Sequence, residues 1–298
     1  MSAKTGNMLY GLLWAGLYLL ALMPFRVLYA ISDVLCFVTS EIVRYRRKLV
    51  ETNIREAFPE MPEKERKRIV RKFYRHFTDT FVETIKLLHV SDDEMRRRIV
   101  FENVEKVNEY TRAGKSIGIY AAHYCNWEWL SSITLWADNS DKIHYSQVYR
   151  PLRNRLFDRF YFDLRKRFHS DSLPKNGVLR ALLGYRRSGG YFVTGFISDQ
   201  KPSHNDGAHH IQFLNQDTPF ITGTELLLRK LDAAVMYFDV RKVKRGYYRV
   251  VMTDIAPSAA ECGEFEITDK FAALLERAIR RQPECWLWSH NRWRRNIN

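Results

Sequence analysis

With 298 residues the chain is long enough for a full core, and a content of 46% hydrophobic and 14% aromatic residues without any Pro/Gly/Ser-rich linker excludes extended disorder. The formal net charge of +14 points to anionic partners of some kind, whether nucleic acid, lipid headgroups or an acidic carrier protein. Four scattered cysteines, Cys36, Cys125, Cys262 and Cys285, exclude a disulfide framework and contain no C-x-x-C pair, which fits a reducing compartment.

The N-terminus carries no charged residue from Thr5 to Phe25, and its apolar run passes through Leu12, Trp14, Leu19 and Met23. A helix needs roughly 20 apolar residues to cross a hydrocarbon core about 30 Å thick, so this run predicts a retained membrane segment. A cleaved signal peptide would end its shorter apolar region at small residues, whereas here Pro24-Phe25-Arg26 follow. Lys4 stands before the run and Arg44, Arg46, Arg47 and Lys48 after it, which places the bulk of the chain on the cytoplasmic side. The stretch Val27 to Thr39 contains Asp33 and is too short to span again, so it reads as an interfacial or re-entrant helix. Residues 1–48 are therefore expected to be an anchor and residues 49–298 the catalytic domain.

Beyond Lys48 helical and extended patterns alternate, as in an α/β domain. Ile69, Phe73, Phe77, Phe81, Ile85 and Leu88 recur at helical spacing and predict an amphipathic helix over Lys64 to Leu88. A shorter helix over Glu102 to Arg112 is closed by Gly114. Ser116 to Ala121 reads as a buried strand followed by a helix over Trp127 to Trp136. Ile143 to Tyr149 is a second strand, and helices follow over Leu152 to Phe168 and Gly177 to Arg187. Tyr191 to Ile197 is a third strand, Pro219 can start a helix reaching Leu231, Ala233 to Val240 and Tyr247 to Thr253 form a hairpin, and Thr268 to Arg281 is a last helix.

Chemistry concentrates where strands end, the usual place for ligands in α/β sheets. The segment Ala121-Ala122-His123-Tyr124-Cys125-Asn126-Trp127-Glu128-Trp129 offers an imidazole as general base and a carboxylate to fix its tautomer. On a regular helix His123 and Glu128 would diverge; they converge only if His123 lies in the loop, Asn126 near the helix N-cap and Glu128 in the first turn. After the second strand, Gln147-Val148-Tyr149-Arg150-Pro151 presents an arginine suited to an oxyanion or phosphate. After the third, Ile197-Ser198-Asp199-Gln200-Lys201 presents an acid and an amide able to bind a hydroxyl. The C-terminal run Cys285-Trp286-Leu287-Trp288-Ser289-His290-Asn291-Arg292-Trp293-Arg294-Arg295 mixes aromatic and basic residues as a lipid headgroup zone does.

This order of apolar N-terminus, H-x-x-x-x-[DE], Y-R-P, a strand ending in D-Q and W-x-W-x-H-x-R-W resembles the bacterial lipid A late acyltransferases, the lauroyl/myristoyl transferases within the lysophospholipid acyltransferase superfamily, nearly end to end. The resemblance implies one glycerolipid-acyltransferase-like α/β domain, a central mixed sheet flanked by helices behind an N-terminal membrane helix. It implies His123 as base, Glu128 as its partner, Arg150 in substrate or oxyanion binding and Asp199 in the site; Asn126 and Gln200, beside these residues, are expected in substrate binding with Arg150 and Asp199, and no cofactor is expected. Acyl-acyl carrier protein or acyl-CoA would donate to a hydroxyl of a lipid A precursor at the bacterial inner membrane. The chain departs from the family after the D-Q pair, where Ser203-His204-Asn205-Asp206-Gly207-Ala208-His209-His210 and Phe213-Leu214-Asn215 replace a Gly-rich loop and a Phe-Phe-Gly turn.

Blander readings stand beside these. His204, Asp206, His209 and His210 have metal-ligand types, yet solvated loop histidines account for them and the chemistry needs no metal. Cys125 reads as a buried thiol rather than a nucleophile. The helix with Arg153, Arg155, Arg159, Arg165, Lys166 and Arg167 is either a solvated face or a dock for anionic lipid or an acidic carrier protein. Acylation of a lysophospholipid, aminolipid or glycolipid is the enzymatic alternative, and a non-catalytic basic membrane-bound module is the other class. Against a nucleic-acid partner, no binding motif is present and the charge is spread over several helices.

Overall fold

A computed structural model describes residues 3–203 and 206–293, with side chains from Met8 onward. The chain opens with α1 (Ala3–Leu22) and α2 (Phe25–Phe37), which runs into a π-helical turn at Val38–Ile42. Next come α3 (Arg47–Ala57), α4 (Glu63–Lys86) and α5 (Asp92–Arg98), then β1 (Ile99–Glu102), α6 (Glu105–Arg112) and β2 (Ile117–Ala121). A 3-10 segment at Trp127–Leu135 leads to β3 (Ile143–Tyr149), α7 (Arg155–Arg165), β4 (Asp171–Pro174), α8 (Val178–Arg187) and β5 (Tyr191–Ile197). The remainder is β6 (Ala208–Phe213), β7 (Gln216–Ile221), α9 (Gly223–Lys230), β8 (Ala234–Lys244), β9 (Tyr247–Ala256) and α10 (Glu266–Arg281).

Among the described residues the main sheet has seven strands in the order β1-β9-β8-β2-β5-β3-β4. Its pairings are parallel except for the β8–β9 hairpin, so the sheet is mixed and carries helices on its faces. All five residues of β2, Ile-Gly-Ile-Tyr-Ala, are buried, as expected of a central parallel strand covered on both sides. Gly118 is required there because a Cβ would sit 2.4 Å from both methyl carbons of Leu228 on α9. On α10, Phe271, Leu275 and Ile279 are fully buried at helical spacing and close the core with Tyr120 and Tyr237, whose rings contact Phe271.

The Gly114 stop is visible in hydrogen bonds. Gly114 adopts φ +77°, its N–H donates to Thr111 O, and Lys115 N–H donates to Tyr110 O, the paired pattern of a Schellman cap. The helix expected over Pro219 to Leu231 is present as α9 but starts four residues late, at Gly223, because Pro219 lies within β7 of a separate two-stranded hairpin with β6. Proline is tolerated in such a strand because a two-stranded ribbon is all edge. Strands β1 and β4, four residues each, carried too short a pattern to register in the sequence.

The N-terminal helices do not confirm the expected single membrane span. No single helix among the described residues is long and apolar enough to cross a membrane; only the pair Met8–Leu22 and Phe25–Ile42, bent by 115°, passes that test together. Pro24 has no N–H to continue α1 and marks the break between the two helices. Both helices pack on the body. Tyr10 Oη donates to Asp163 Oδ2 at 2.7 Å, and Lys86 Nζ on α4 donates to Ala21 O at 2.6 Å and Met23 O at 2.8 Å, capping the carbonyls at the end of α1. Ser32 Oγ on α2 donates to the fully buried Asp79 of α4 at 2.7 Å, and Arg245 at the β8–β9 turn bonds both Asp79 and Asp33. Contacts therefore cross the expected division at residue 48.

Candidate active site

The register of two parallel strands places the site. Ala121 of β2 pairs with Ile197 of β5, so the residues two positions further, His123 and Asp199, leave the sheet side by side. His123 Nδ1 lies 2.8 Å from Asp199 Oδ1, and Trp286 Nε1–H donates to Asp199 Oδ2 at 2.8 Å. Asp199 is 2% exposed. Burial pushes its carboxyl up, but the charge of His123 and the hydrogen bonds from His123 and Trp286 outweigh this and hold it below the usual range. An ionised acceptor there fixes the proton on Nδ1 and leaves Nε2 as the basic nitrogen. Gln200 presents its amide nitrogen to Nε2 at 3.2 Å, where a substrate hydroxyl would donate. The ring of Trp127 stands edge-on to the imidazole with centroids 5.2 Å apart.

The C-terminal segment locks this loop from outside. Leu287 N–H donates to His123 O at 3.1 Å, Cys125 N–H to Cys285 O at 2.9 Å, and Tyr124 pairs with Trp286 as an isolated bridge. Cys125 takes φ +53° to make the turn. Its thiol is fully buried, and burial followed by the neighbouring Cys285 thiol pushes it well above its ordinary value, so it stays protonated. Cys125→Ala is accordingly expected to retain acyl transfer within about threefold of wild type, measured as initial rates at saturating donor; loss of turnover with an acyl thioester trapped on the protein would contradict it.

Glu128 does not reach His123 as the spacing suggested. It lies in the first turn of the 3-10 segment, and both its oxygens accept from Arg165 of α7, at 2.7 Å from Nη2 and 3.0 Å from Nε. The carboxylate on the imidazole is Asp199 instead, because the loop brings His123 toward β5. Asn126 is also redirected. It occupies the N-cap position without a side-chain cap bond, is fully buried, and donates to Glu83 Oε2 at 2.8 Å, so it holds the loop to α4 rather than facing a substrate. Tyr29 and Tyr248 donate to the same Glu83 carboxylate. Arg150 is exposed just past β3 and makes no hydrogen bond or ion pair among the described residues; the arginine that meets Glu128 is Arg165. Burial opposes the charge of Arg165, but Glu128 keeps its pKa above the ordinary value.

Trp286 and Arg165 are the residues whose roles the sequence did not single out. The first was legible only as part of an aromatic run, the second only as one cation in a basic helix. No group of three or more metal-ligating side chains forms among the described residues. Asp206 pairs with Lys175 and Ser203, His209 with Asp269 and His210 with Asp217, while His204, Arg294 and Arg295 lie outside the described residues.

A histidine tied to a buried carboxylate at the carboxyl ends of adjacent parallel strands, with one ring nitrogen turned toward solvent-accessible side chains, gives an α/β protein equipped for proton transfer. Comparison with known proteins narrows this to one family. The model for bacterial lipid A biosynthesis acyltransferases matches residues 3–295, and the chain belongs to that family and is an acyltransferase of lipid A biosynthesis. It is 22% identical over 289 residues to the lipid A biosynthesis palmitoleoyltransferase of Escherichia coli K12 and 24% identical over 298 residues to the lauroyltransferase of the same strain, in each case across 96% of this chain and 92% of the relative. A lipid A biosynthesis acyltransferase of Haemophilus influenzae is 22% identical over 186 residues, 61% of this chain and 57% of the relative.

Proposed function

We propose that the protein transfers a fatty acyl group directly from an acyl thioester, carried by acyl carrier protein or CoA, to a hydroxyl of a lipid A precursor. The observation that supports this most is the 2.8 Å contact of His123 Nδ1 with Asp199, which makes Nε2, faced in this structure by the Gln200 amide, the basic nitrogen. His123 Nε2 takes the proton of the acceptor hydroxyl as its oxygen attacks the thioester carbonyl. The imidazolium then faces the Asp199 carboxylate, and the collapsing tetrahedral intermediate expels the thiolate, which recovers the proton from His123. Gln200, displaced from Nε2 by the substrate, and Arg165, aligned by Glu128, supply donors to the oxyanion. Incubation of the full chain in membranes with labelled acyl thioesters and a panel of lipid acceptors tests the reading. One added acyl group on a lipid A precursor is expected by mass; acylation only of lysophospholipids, aminolipids or glycolipids would overturn it.

The reaction takes place at a bilayer surface, in this proposal the bacterial inner membrane with the catalytic body facing the cytoplasm. Leu12, Leu19, Val34, Phe37 and Ile42 on the two N-terminal helices and the π-helical turn are each at least 60% exposed, an apolar face that a membrane would cover. Arg26, Arg44 and Arg46 flank it and can meet anionic headgroups. Leu19→Glu with Phe37→Glu should lower partitioning into phosphatidylglycerol-containing vesicles by roughly 10–100-fold, from the apolar burial lost. Unchanged flotation of the variant would contradict this placement.

A further inference from the structure

A second feature lies just beyond the histidine. A cavity of about 530 Å³ opens between the end of β5 and the β6–β7 hairpin, with Lys201, Ser203, His210, Pro219 and Arg292 in its wall. Lys201 directly follows Gln200, the residue against His123 Nε2, so this cavity begins one residue beyond the candidate active site. Arg292 is 1% exposed, stacks its guanidinium over Phe220 with 4.9 Å to the ring centroid, and donates Nη2–H to Pro219 O at 2.6 Å. Its Nε and Nη1 are buried and have no partner among the described residues. A buried cation with two idle donors is costly unless something satisfies it.

The surrounding groups leave that need unmet. Asp206 is held by Lys175 and Ser203, Asp217 by His210, and Asp199 uses its oxygens on His123 and Trp286. No carboxylate pairs with Arg292 or Lys201 among the described residues. Burial, the largest influence, pushes His290 down to about 4, so that ring adds no charge, and burial likewise pulls Arg292 down to about 10, still protonated at neutral pH.

We propose that Arg292 and Lys201 form a phosphate subsite of the acyl-transfer site, Arg292 giving the N–H donors of its idle Nε and Nη1 and Lys201 a second charge at the rim. This rests on the acyl-transfer reading above, since both substrate classes carry phosphate: the glycolipid acceptor on its sugars and the thioester donor in its phosphopantetheine arm. Nε–H and Nη1–H lie on different edges of the guanidinium and act as separate charge-assisted donors to phosphate oxygens, and the ammonium contributes as a point charge.

Matched substrate pairs test it. The acceptor pair is a phosphorylated lipid A precursor and its phosphatase-treated form; the donor pair is an acyl-phosphopantetheine thioester and the corresponding acyl-pantetheine thioester, which lacks the phosphate. For wild type, KM should rise roughly 10–100-fold on losing the phosphate in one pair. In Arg292→Met and in Lys201→Met that ratio should shrink, to within about threefold for the former. The pair that responds identifies the source of the phosphate. Arg292 also packs on Phe220, so if Arg292→Met fails to fold, Lys201→Met at the rim decides. A wild-type ratio retained in Lys201→Met on both pairs would overturn the subsite. Absence of turnover with every pair would instead count against the acyl-transfer reading, and the subsite is then judged on binding of inorganic pyrophosphate, followed by broadening of its 31P resonance. Broadening by wild type that is lost in Lys201→Met supports the subsite, and equal broadening by both, or none by wild type, overturns it.

Discussion

Replacing His123 by alanine is expected to lower the turnover of acyl transfer by roughly 10²–10⁴-fold, the usual contribution of positioned general acid–base catalysis. In the proposed reaction one ring nitrogen removes the hydroxyl proton and returns it to the leaving thiolate, so a single substitution affects both halves of the step. Cys125 cannot substitute, because its thiol is fully buried and kept protonated by that burial. The fold should tolerate the change: the His123 side chain is 21% exposed at the end of β2, and the strand is held by its own ladder on both sides. Rates measured at saturating donor and acceptor, with circular dichroism to verify folding, check this. Near-wild-type turnover in a folded His123→Ala protein would remove the mechanism.

The second large effect concerns Glu128 and Arg165, whose side chains are 9% and 18% exposed. Removing one member leaves a largely buried charge without its counterion, which costs roughly 2–4 kcal/mol when the pair is well shielded from water. Arg165→Met should therefore destabilise the protein as well as slow transfer, and Glu128→Gln should do less because the amide can still accept from the guanidinium. The two sites share one interaction, so denaturation of the double variant should show a loss at least about 1 kcal/mol smaller than the sum of the single losses. Additive losses would mean that the bidentate contact contributes nothing in solution.

Much of the architecture was legible from residue pattern. β3 and β5 fall on Ile143–Tyr149 and Tyr191–Ile197, because β-branched and aromatic residues predominate in both between polar or Gly-rich breaks. The helix over α4 was equally plain from its phenylalanine spacing. Pro219 misled because a proline ahead of Thr222-Gly223-Thr224 looks like a helix start, whereas hairpin pairing of β6 with β7 depends on residues at Ala208–Phe213 that have no clear alternation. The N-terminal run was read as one span; Pro24 marked its end in the sequence, but only the structure shows a 115° turn onto α4.

The histidine was legible for a local reason, its position just past a buried strand. Its partner was not, since the choice between Glu128 and Asp199 depends on the register of β2 against β5, residues 76 apart in sequence for His123 and Asp199. Asn126 carried a capping residue type into a site where Glu83, on a distant helix, claims its amide. Arg150 and Arg165 cannot be ranked from sequence either, because both flank a basic helix and only packing shows which one meets a carboxylate. Trp286 illustrates the same limit. Its indole N–H on Asp199 requires the C-terminal segment to run beside the His123 loop, which no local pattern encodes.

A double-mutant cycle in catalytic rate between His123→Ala and Asp199→Asn, with Glu128→Gln as the comparison, tests the central claim most directly. If Asp199 acts only by orienting and stabilising the imidazole, Asp199→Asn should reduce turnover by roughly 10²–10⁴-fold alone, yet the double variant should fall within about threefold of His123→Ala. A double variant slower than His123→Ala by the whole Asp199→Asn factor, or the same non-additivity found with Glu128 in place of Asp199, would contradict the assignment of Asp199 as the partner of the catalytic histidine.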